Sequence, residues 1–473
     1  MINKKTIIWI ISLALPIIVL LLPTSSFPIE GMTVVEQRVI ALFVLAALFW
    51  ILEPIPIYAT SILIIVLELI MISDKGLNFL IADKDVEGFG TLLSYKSIFG
   101  TFSSPIILLF MGGFFLAMAS TKYRLDQNLA RVLLKPFGTK PSMIIMGLMA
   151  ITAVFSMFMS NTATTAMMLS IIAPVLVYFD QDDPGRISLA LCIPVAANIG
   201  GMGTPIGTPP NAIALKYLTG TDAISFGEWM AFGVPFVLVL LTIGWVLLNT
   251  LFPARKKEIK LEIKGEFLKT RKAIIVYITF AGTILMWLFD FVHGMNSYIV
   301  AMIPVAVFLM FNIITKEDLK KISWDVLWLV SGGIALGLAL GKSGLAENAV
   351  NSIPFSEFPA LLIIGFAALL ATTMANFMSN TATANLLLPI IAAVGTTVIS
   401  IEPLGGSKML VLGTTLAASL GMALPISTPP NALAHATGAI KTGQMAKVGL
   451  IMGAIGLAAV FGLLYILNMV NFF

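Results

Sequence analysis

The chain has 473 residues, of which 58% are hydrophobic and 11% charged, with a net charge of +4; its mean hydropathy is +1.00. Soluble domains carry roughly 25% charged residues, so this is an integral membrane protein with no soluble-domain-sized insert between its apolar stretches. One cysteine, Cys192, excludes a disulfide framework, and two histidines, His293 and His435, are too few for a histidine metal cage.

Lys4 and Lys5 precede an apolar run from Ile7 to Leu22. No clear small-residue cleavage site follows, so residues 1–30 read as an extra, retained first span. Stretches long enough for a hydrocarbon core of about 30 Å recur at 6–23, 38–52, 57–73, 104–120, 187–218, 231–252, 273–292, 297–314, 325–341, 408–438 and 446–470. That makes an all-α polytopic membrane protein with about eleven transmembrane helices, those at 187–218 and 408–438 being interrupted. Two further apolar segments, 142–179 and 358–399, are too long for one crossing, carry a polar phrase near their middles, and read as re-entrant hairpins.

A cytoplasmic N-terminus places 21 of the 28 Lys and Arg residues inside, as the positive-inside rule favours, and puts the C-terminus outside. The plasma membrane is the expected location. The basic linker 253–272 reads as a solvated joint between halves at 31–252 and 273–473, ahead of a patch for anionic lipid.

Three phrases occur twice at nearly one offset. Gly112-Gly113 returns as Gly332-Gly333, the SNTAT phrase of Asn161 returns at Asn380, and the TPPN phrase of Thr208 returns at Thr428, 219 or 220 residues later in each case. With five crossings and one hairpin per half, the copies are expected to lie in opposite orientation. Inverted repeats with broken helices mark alternating-access transporters.

Non-helical backbone at membrane depth is tolerated only against protein or a water-filled cavity. Ser, Asn and Thr suit such a tip, since they cap an exposed helix end and offer amide donors and a carbonyl acceptor. In the TPPN phrases each proline removes an N–H and opens the helix. Four interrupted elements, two from each copy, therefore converge near the bilayer midplane. Their exposed helix N-termini suit an anion, and freed carbonyls with hydroxyls suit a small hard cation. The phrases hold no Lys or Arg, so neutral donors would grip the substrate. Two such clusters suit an anion charged at both ends, a dicarboxylate; sulfate carries two charges also, but is compact enough for one cluster. Nothing here points to nucleic acid. The phrases lack Asp, Glu, His and Cys, which argues against an intramembrane enzyme. Inverted copies argue against a channel, which more often assembles from parallel ones.

The paired SNT and TPPN phrases, in this order, resemble those of the divalent anion/sodium symporters, which include the INDY-type di- and tricarboxylate carriers. The resemblance covers essentially the whole chain after the first span. It implies a homodimer in which a fixed scaffold carries a sliding, elevator-type transport domain. It implies that Asn161, Thr162, Asn380 and Thr381 bind substrate carboxylates, with Thr208, Pro209, Thr428 and Pro429 at the matching positions of the broken helices. A first sodium site would use Ser156, Ser160, Asn161 and Gly207. A second would keep Asn380 and Ser427 but has Ala375-Asn376 where the family tends to carry Thr-Glu. Losing that hydroxyl should weaken sodium binding. The expectation is therefore a carrier of C4/C5 dicarboxylates (succinate, malate, fumarate, 2-oxoglutarate) by exchange rather than sodium-coupled symport, with no cofactor beyond sodium as a coupling or structural ion.

Other residues read as structural. Glu53 marks a tight proline-rich turn between two spans. The glycine pairs should allow close helix packing, and Lys342 and Lys408 should snorkel to the interface. His435 has Leu215 as its counterpart, so any role at the site would be asymmetric.

Overall fold

The computed structural model describes residues 3–177, 179–180, 182–259 and 265–473. Helices are the regular elements among them, apart from an isolated bridge between Ser73 and Leu93. Part of the expected linker and one residue of the first hairpin segment, Tyr178, lie outside the described residues.

Without water at membrane depth a chain must satisfy its own N–H and C=O groups, and a helix does so within one segment. After Lys4–Leu21 the helices run Val34–Leu52, Ile57–Met71 and Pro105–Lys122, then the pair Pro141–Phe158 and Asn161–Leu176. The pair Pro184–Gly201 and Pro209–Leu215 follows, and then Phe226–Leu251. The same order returns as Arg271–Leu288, Ser297–Met310, Trp324–Lys342, Ala360–Phe377 with Asn380–Thr397, Gly406–Ala418 with Pro429–Ala436, and Thr442–Met469. Each expected crossing and hairpin segment is thus helical, with ends shifted by a few residues. Eight of the described helices are long and apolar enough to cross a membrane.

Local sequence sets the ends. Thr33 and Glu36 form a capping box at Val34, and Ser225 and Glu228 form another at Phe226, each covering orphan first-turn N–H groups. Glu53 takes a left-handed conformation with φ 46°, which closes Val34–Leu52 and turns the chain into Ile57–Met71. Gln37 Nε2 donates to Val19 O at 2.8 Å and Leu22 O at 2.5 Å, tying the first helix to the second. Near the opposite end of the fold Lys122 pairs with Asp318 and donates to Ile313 O at 2.8 Å. Burial pushes the Asp318 carboxyl up, but hydrogen bonds from Lys122 and Thr315 outweigh it and hold the group at about 2.

Two short helices escape a periodicity reading. Leu125–Leu134 follows Pro105–Lys122, and Leu345–Asn351 follows Trp324–Lys342. Both begin after a left-handed residue, Arg124 (φ 56°) and Gly344 (φ 88°), at equivalent places in the two copies. Their polar residues and short length gave no membrane-span signal. Lys408 also departs from expectation: it is buried, donating to Phe472 O at 2.7 Å and lying 4.1 Å from the Phe472 ring centre. It pins the C-terminal residues rather than reaching for the interface.

The glycine pairs do bring helices together. A Cβ on Gly112 would fall on the Ala301 carbonyl oxygen, and one on Gly332 would fall on Ser61. Gly113 differs, since a Cβ there would meet only Ile206 Cδ1 at 3.5 Å. Gly112→Ala should therefore lower the melting temperature of the purified protein, by an overpacking cost of about 1–3 kcal/mol, whereas Gly113→Ala should leave it nearly unchanged. Thermal unfolding in detergent checks both; equal melting temperatures for the two variants would contradict the packing.

Candidate functional site

Each hairpin tip is a Met-Ser pair in extended conformation followed by a helix that restarts at asparagine. Met159 and Met378 have φ −129° and −134°, and the next helices open at Asn161 and Asn380. Thr208 and Thr428 match closely, with φ −144° in both and ψ 144° and 148°, before the helices that open at Pro209 and Pro429. Proline at the first helical position loses no hydrogen bond, because that N–H is an orphan anyway.

The breaks leave carbonyls without helical partners, and the asparagine of each TPPN phrase collects them. Asn211 Nδ2 donates to Thr204 O at 2.8 Å, Gly201 O at 3.1 Å and Met202 O at 3.3 Å. Asn431 Nδ2 donates to Met422 O at 2.7 Å and Leu424 O at 3.0 Å. The buried Trp229 adds its ring N–H to Met202 O at 3.1 Å. Across the copies Asn198 Nδ2 donates to Asn431 Oδ1 at 3.1 Å, which links the two broken helices directly. The sequence marks these asparagines, but reading alone gave them no task.

One cavity of about 190 Å³ is lined by all eight residues expected at the substrate: Asn161, Thr162, Thr208, Pro209, Asn380, Thr381, Thr428 and Pro429. Ser160, Gly207 and Ser427 line it too, and Ser156 stands behind Asn161. Among the described residues no Lys or Arg borders the cavity, and Asp325 is its lone charged residue. His435 does not line it, and its Nε2 pairs with Thr442 Oγ1 at 3.1 Å.

The two copies present different chemistry. Ser160 and Thr208 make no side-chain cap, so first-turn N–H groups of both helices in the first copy keep their capacity for an anion. In the second copy Ser379 Oγ accepts from Ala382 N at 3.1 Å, and Thr428 Oγ1 accepts from Asn431 N at 3.3 Å. Thr162 is exposed to the cavity while Thr381 is buried. Asn161 Oδ1 accepts from Ser156 Oγ, leaving its amide nitrogen as a donor.

The cation donors differ in the same way. Ser156 Oγ lies against both Asn161 Oδ1 and Ala197 O, the latter at 2.7 Å. A Cβ on Gly201 would lie 2.9 Å from Gly207 O and 3.0 Å from Asn161 Oδ1. Asn161 Nδ2 is 2.9 Å from the same point, but Asn161 Oδ1 and Ala197 O share the one hydroxyl proton of Ser156, and with Gly207 O beside them they form an oxygen set that fits a small hard cation. At the second copy the oxygens already have partners. Asn376 Oδ1 accepts from Ala423 N at 2.9 Å, and its Nδ2 donates to Thr372 O at 2.9 Å. Ser427 Oγ donates to Asn376 O at 2.8 Å and accepts from Leu424 N at 3.1 Å. With its amide nitrogen turned to the backbone, Asn380 donates to Gly421 O at 3.1 Å and Ala418 O at 3.3 Å.

Comparison with known proteins agrees with this architecture. A family model described as a citrate transporter matches residues 47–405. The chain is 30% identical to the sodium-dependent dicarboxylate transporter SdcS of Staphylococcus saprophyticus, over 91% of this chain and 85% of that protein. It is 29% identical to the inorganic phosphate transporter PHO87 of Saccharomyces cerevisiae over 85% of this chain, and it spans about half the length of the yeast relatives it matches. Among solved structures, the YdaH transporter of Alcanivorax borkumensis shares the fold, with a TM-score of 0.56 at 12% identity over 92% of this chain and 98% of that one. The chain is a polytopic membrane transporter, not an enzyme, and it belongs to the citrate transporter family.

Proposed function

We propose that the protein carries C4/C5 dicarboxylates across the membrane by alternating access, as a homodimeric, elevator-type exchanger. The observation that carries this reading is the single cavity into which both hairpin tips and both broken helices deliver their polar residues. Two facing clusters of neutral donors can grip the two ends of a diacid. Neutral donors still make charge-assisted bonds to a carboxylate, but among the described residues no Lys or Arg borders the cavity, so a bound diacid would leave without breaking a salt bridge. The cavity also borders Ile57 and Asp325, at the starts of Ile57–Met71 and Trp324–Lys342. The positive-inside rule favours a cytoplasmic place for those ends, which supports reading the cavity as open inward.

Exchange is favoured over symport by Asn376, whose amide and neighbouring Ser427 hydroxyl already bond the groups a second cation would need. The first copy would hold one sodium ion through Ser156, Asn161 and the Ala197 and Gly207 carbonyls. That ion would supply positive charge beside the Asn161 end of the substrate. Sodium-coupled symport is the second reading, favoured by the same oxygen set and by the name of the staphylococcal relative, a sodium-dependent dicarboxylate transporter.

In liposomes loaded with succinate and free of sodium, uptake of labelled succinate should be at least tenfold faster than in empty ones. Uptake that needs a sodium gradient and ignores internal substrate would support symport instead. Asn161→Ala should raise the substrate KM by about 10- to 100-fold, the worth of a hydrogen bond to a charged group at about 1.5–3 kcal/mol. Asn380→Ala should cost clearly less, because its amide nitrogen already serves backbone carbonyls. Equal losses would contradict the asymmetry.

A further inference from the structure

Asn198 stands near the end of Pro184–Gly201, the first half of the first broken helix, and it lines the cavity although it is only 3% exposed. Two neighbours fix how its amide is turned. Asn431 Nδ2 donates to the Met422 and Leu424 carbonyls, which can only accept, so Asn431 Oδ1 is the end left to receive a donor. Asn198 Nδ2 supplies that donor at 3.1 Å. The bridge therefore turns Asn198 Oδ1 away from Asn431. Among the described residues this oxygen has no hydrogen-bond partner, and it is not one of the sealed, unpartnered atoms of the interior. In a residue otherwise enclosed, the surface it keeps belongs to the cavity wall.

An acceptor at that place does not serve a carboxylate. A carboxylate oxygen has no proton to give, and the donors for it lie elsewhere, in the uncapped first-turn N–H groups after Ser160 and Thr208 and in the Asn161 amide nitrogen. Asn198 Oδ1 needs a ligand with an O–H or N–H of its own. The bond to Asn431 ties the first broken helix to the second, so Asn198 lies where the two copies meet. A diacid held by one carboxylate at each copy has its middle carbons at that junction. The counterpart of Asn198 in the second copy is Ala418, so the first copy alone brings this amide to the cavity.

We infer that Asn198 Oδ1 accepts a hydrogen bond from a hydroxyl on the carbon chain of the substrate. The transporter then prefers diacids with a hydroxyl between their carboxylates, malate among the C4 acids, over unsubstituted ones such as succinate. This deepens the dicarboxylate reading and rests on it. Succinate presents a methylene to the oxygen, stripping its water without replacing the bond, and an unpaired acceptor in a buried site is costly. A site built to bond a substrate hydroxyl discriminates against the analogue that lacks it. Because the two copies differ, the hydroxyl must also face the correct wall, so one enantiomer of malate is favoured.

The test is calorimetric titration of the purified full chain with succinate and with each enantiomer of malate, for the unmodified protein and for Asn198→Ala. One malate enantiomer should bind about fivefold more tightly than succinate, the worth of one neutral hydrogen bond, and Asn198→Ala should bring that ratio close to one. Loss of the Asn431 bridge by itself would weaken succinate and malate by the same factor, so the ratio separates recognition from bracing. Equal affinity for succinate and both malates in the unmodified protein would overturn the inference, and so would a malate preference that survives Asn198→Ala. If Asn198→Ala does not fold, the comparison in the unmodified protein decides alone. Succinate binding with no malate preference leaves the dicarboxylate reading standing, whereas failure of all three diacids to bind would sink that reading and this inference with it.

Discussion

Helices broken at membrane depth need partners for the carbonyls they release, and that requirement organises the centre of this transporter. Proline makes each break, and the asparagine two residues after the first helical position repairs it: Asn211 reaches three carbonyls and Asn431 two. A buried polar group left unpaired costs about 1–3 kcal/mol, so an unrepaired break would consume much of a protein's marginal stability. With the carbonyls covered, the opposite ends of the breaks can turn their first-turn amides toward the cavity. The Asn198–Asn431 bond then fixes one break against the other, which sets the spacing between the two clusters that face a substrate.

A symmetric frame carries asymmetric chemistry. The backbone angles at Thr208 and Thr428 nearly coincide, and the two hairpin tips match as well. Yet Ser156 faces Asn161 where the second copy has Ala375, and Asn198 bridges to Asn431 where its counterpart is Ala418. The first copy keeps uncapped amides and an oxygen cluster, while the second closes its own donors on itself through Ser379, Thr428 and Asn376. The repeated geometry thus carries uncapped amides and clustered oxygens in one half and internal bracing in the other.

Much of this was legible in the amino-acid order because its strongest signals are local. Apolar runs of span length, paired prolines and a repeated polar phrase each have a direct backbone consequence, and the eight residues within those phrases that the resemblance places at the substrate meet around one cavity. What escaped depends on contacts distant in sequence. The Ala375-Asn376 pair could be read as a lost hydroxyl ligand, but the bridge from Asn376 to Ala423 spans 47 residues and no local pattern encodes it. Lys408 was read from its place near a span end, whereas its partner is the carbonyl of Phe472, 64 residues on. Leu125–Leu134 and Leu345–Asn351 are too short and polar to register as spans. Glu68 did carry a signal that went unused, since a carboxylate inside an apolar span is costly and calls for a partner. In the folded chain neither of its oxygens has a hydrogen-bond partner.

The central claim is that the two copies build one shared site for an anion with two charged ends. Calorimetric titration of the purified transporter with succinate tests it most directly. The account predicts one succinate bound per chain, with the matching monoacid, butyrate, binding at least a hundredfold more weakly, because it leaves one cluster without its carboxylate. Two succinates per chain, or butyrate bound as tightly as succinate, would show that each copy holds its own anion and would contradict the shared site.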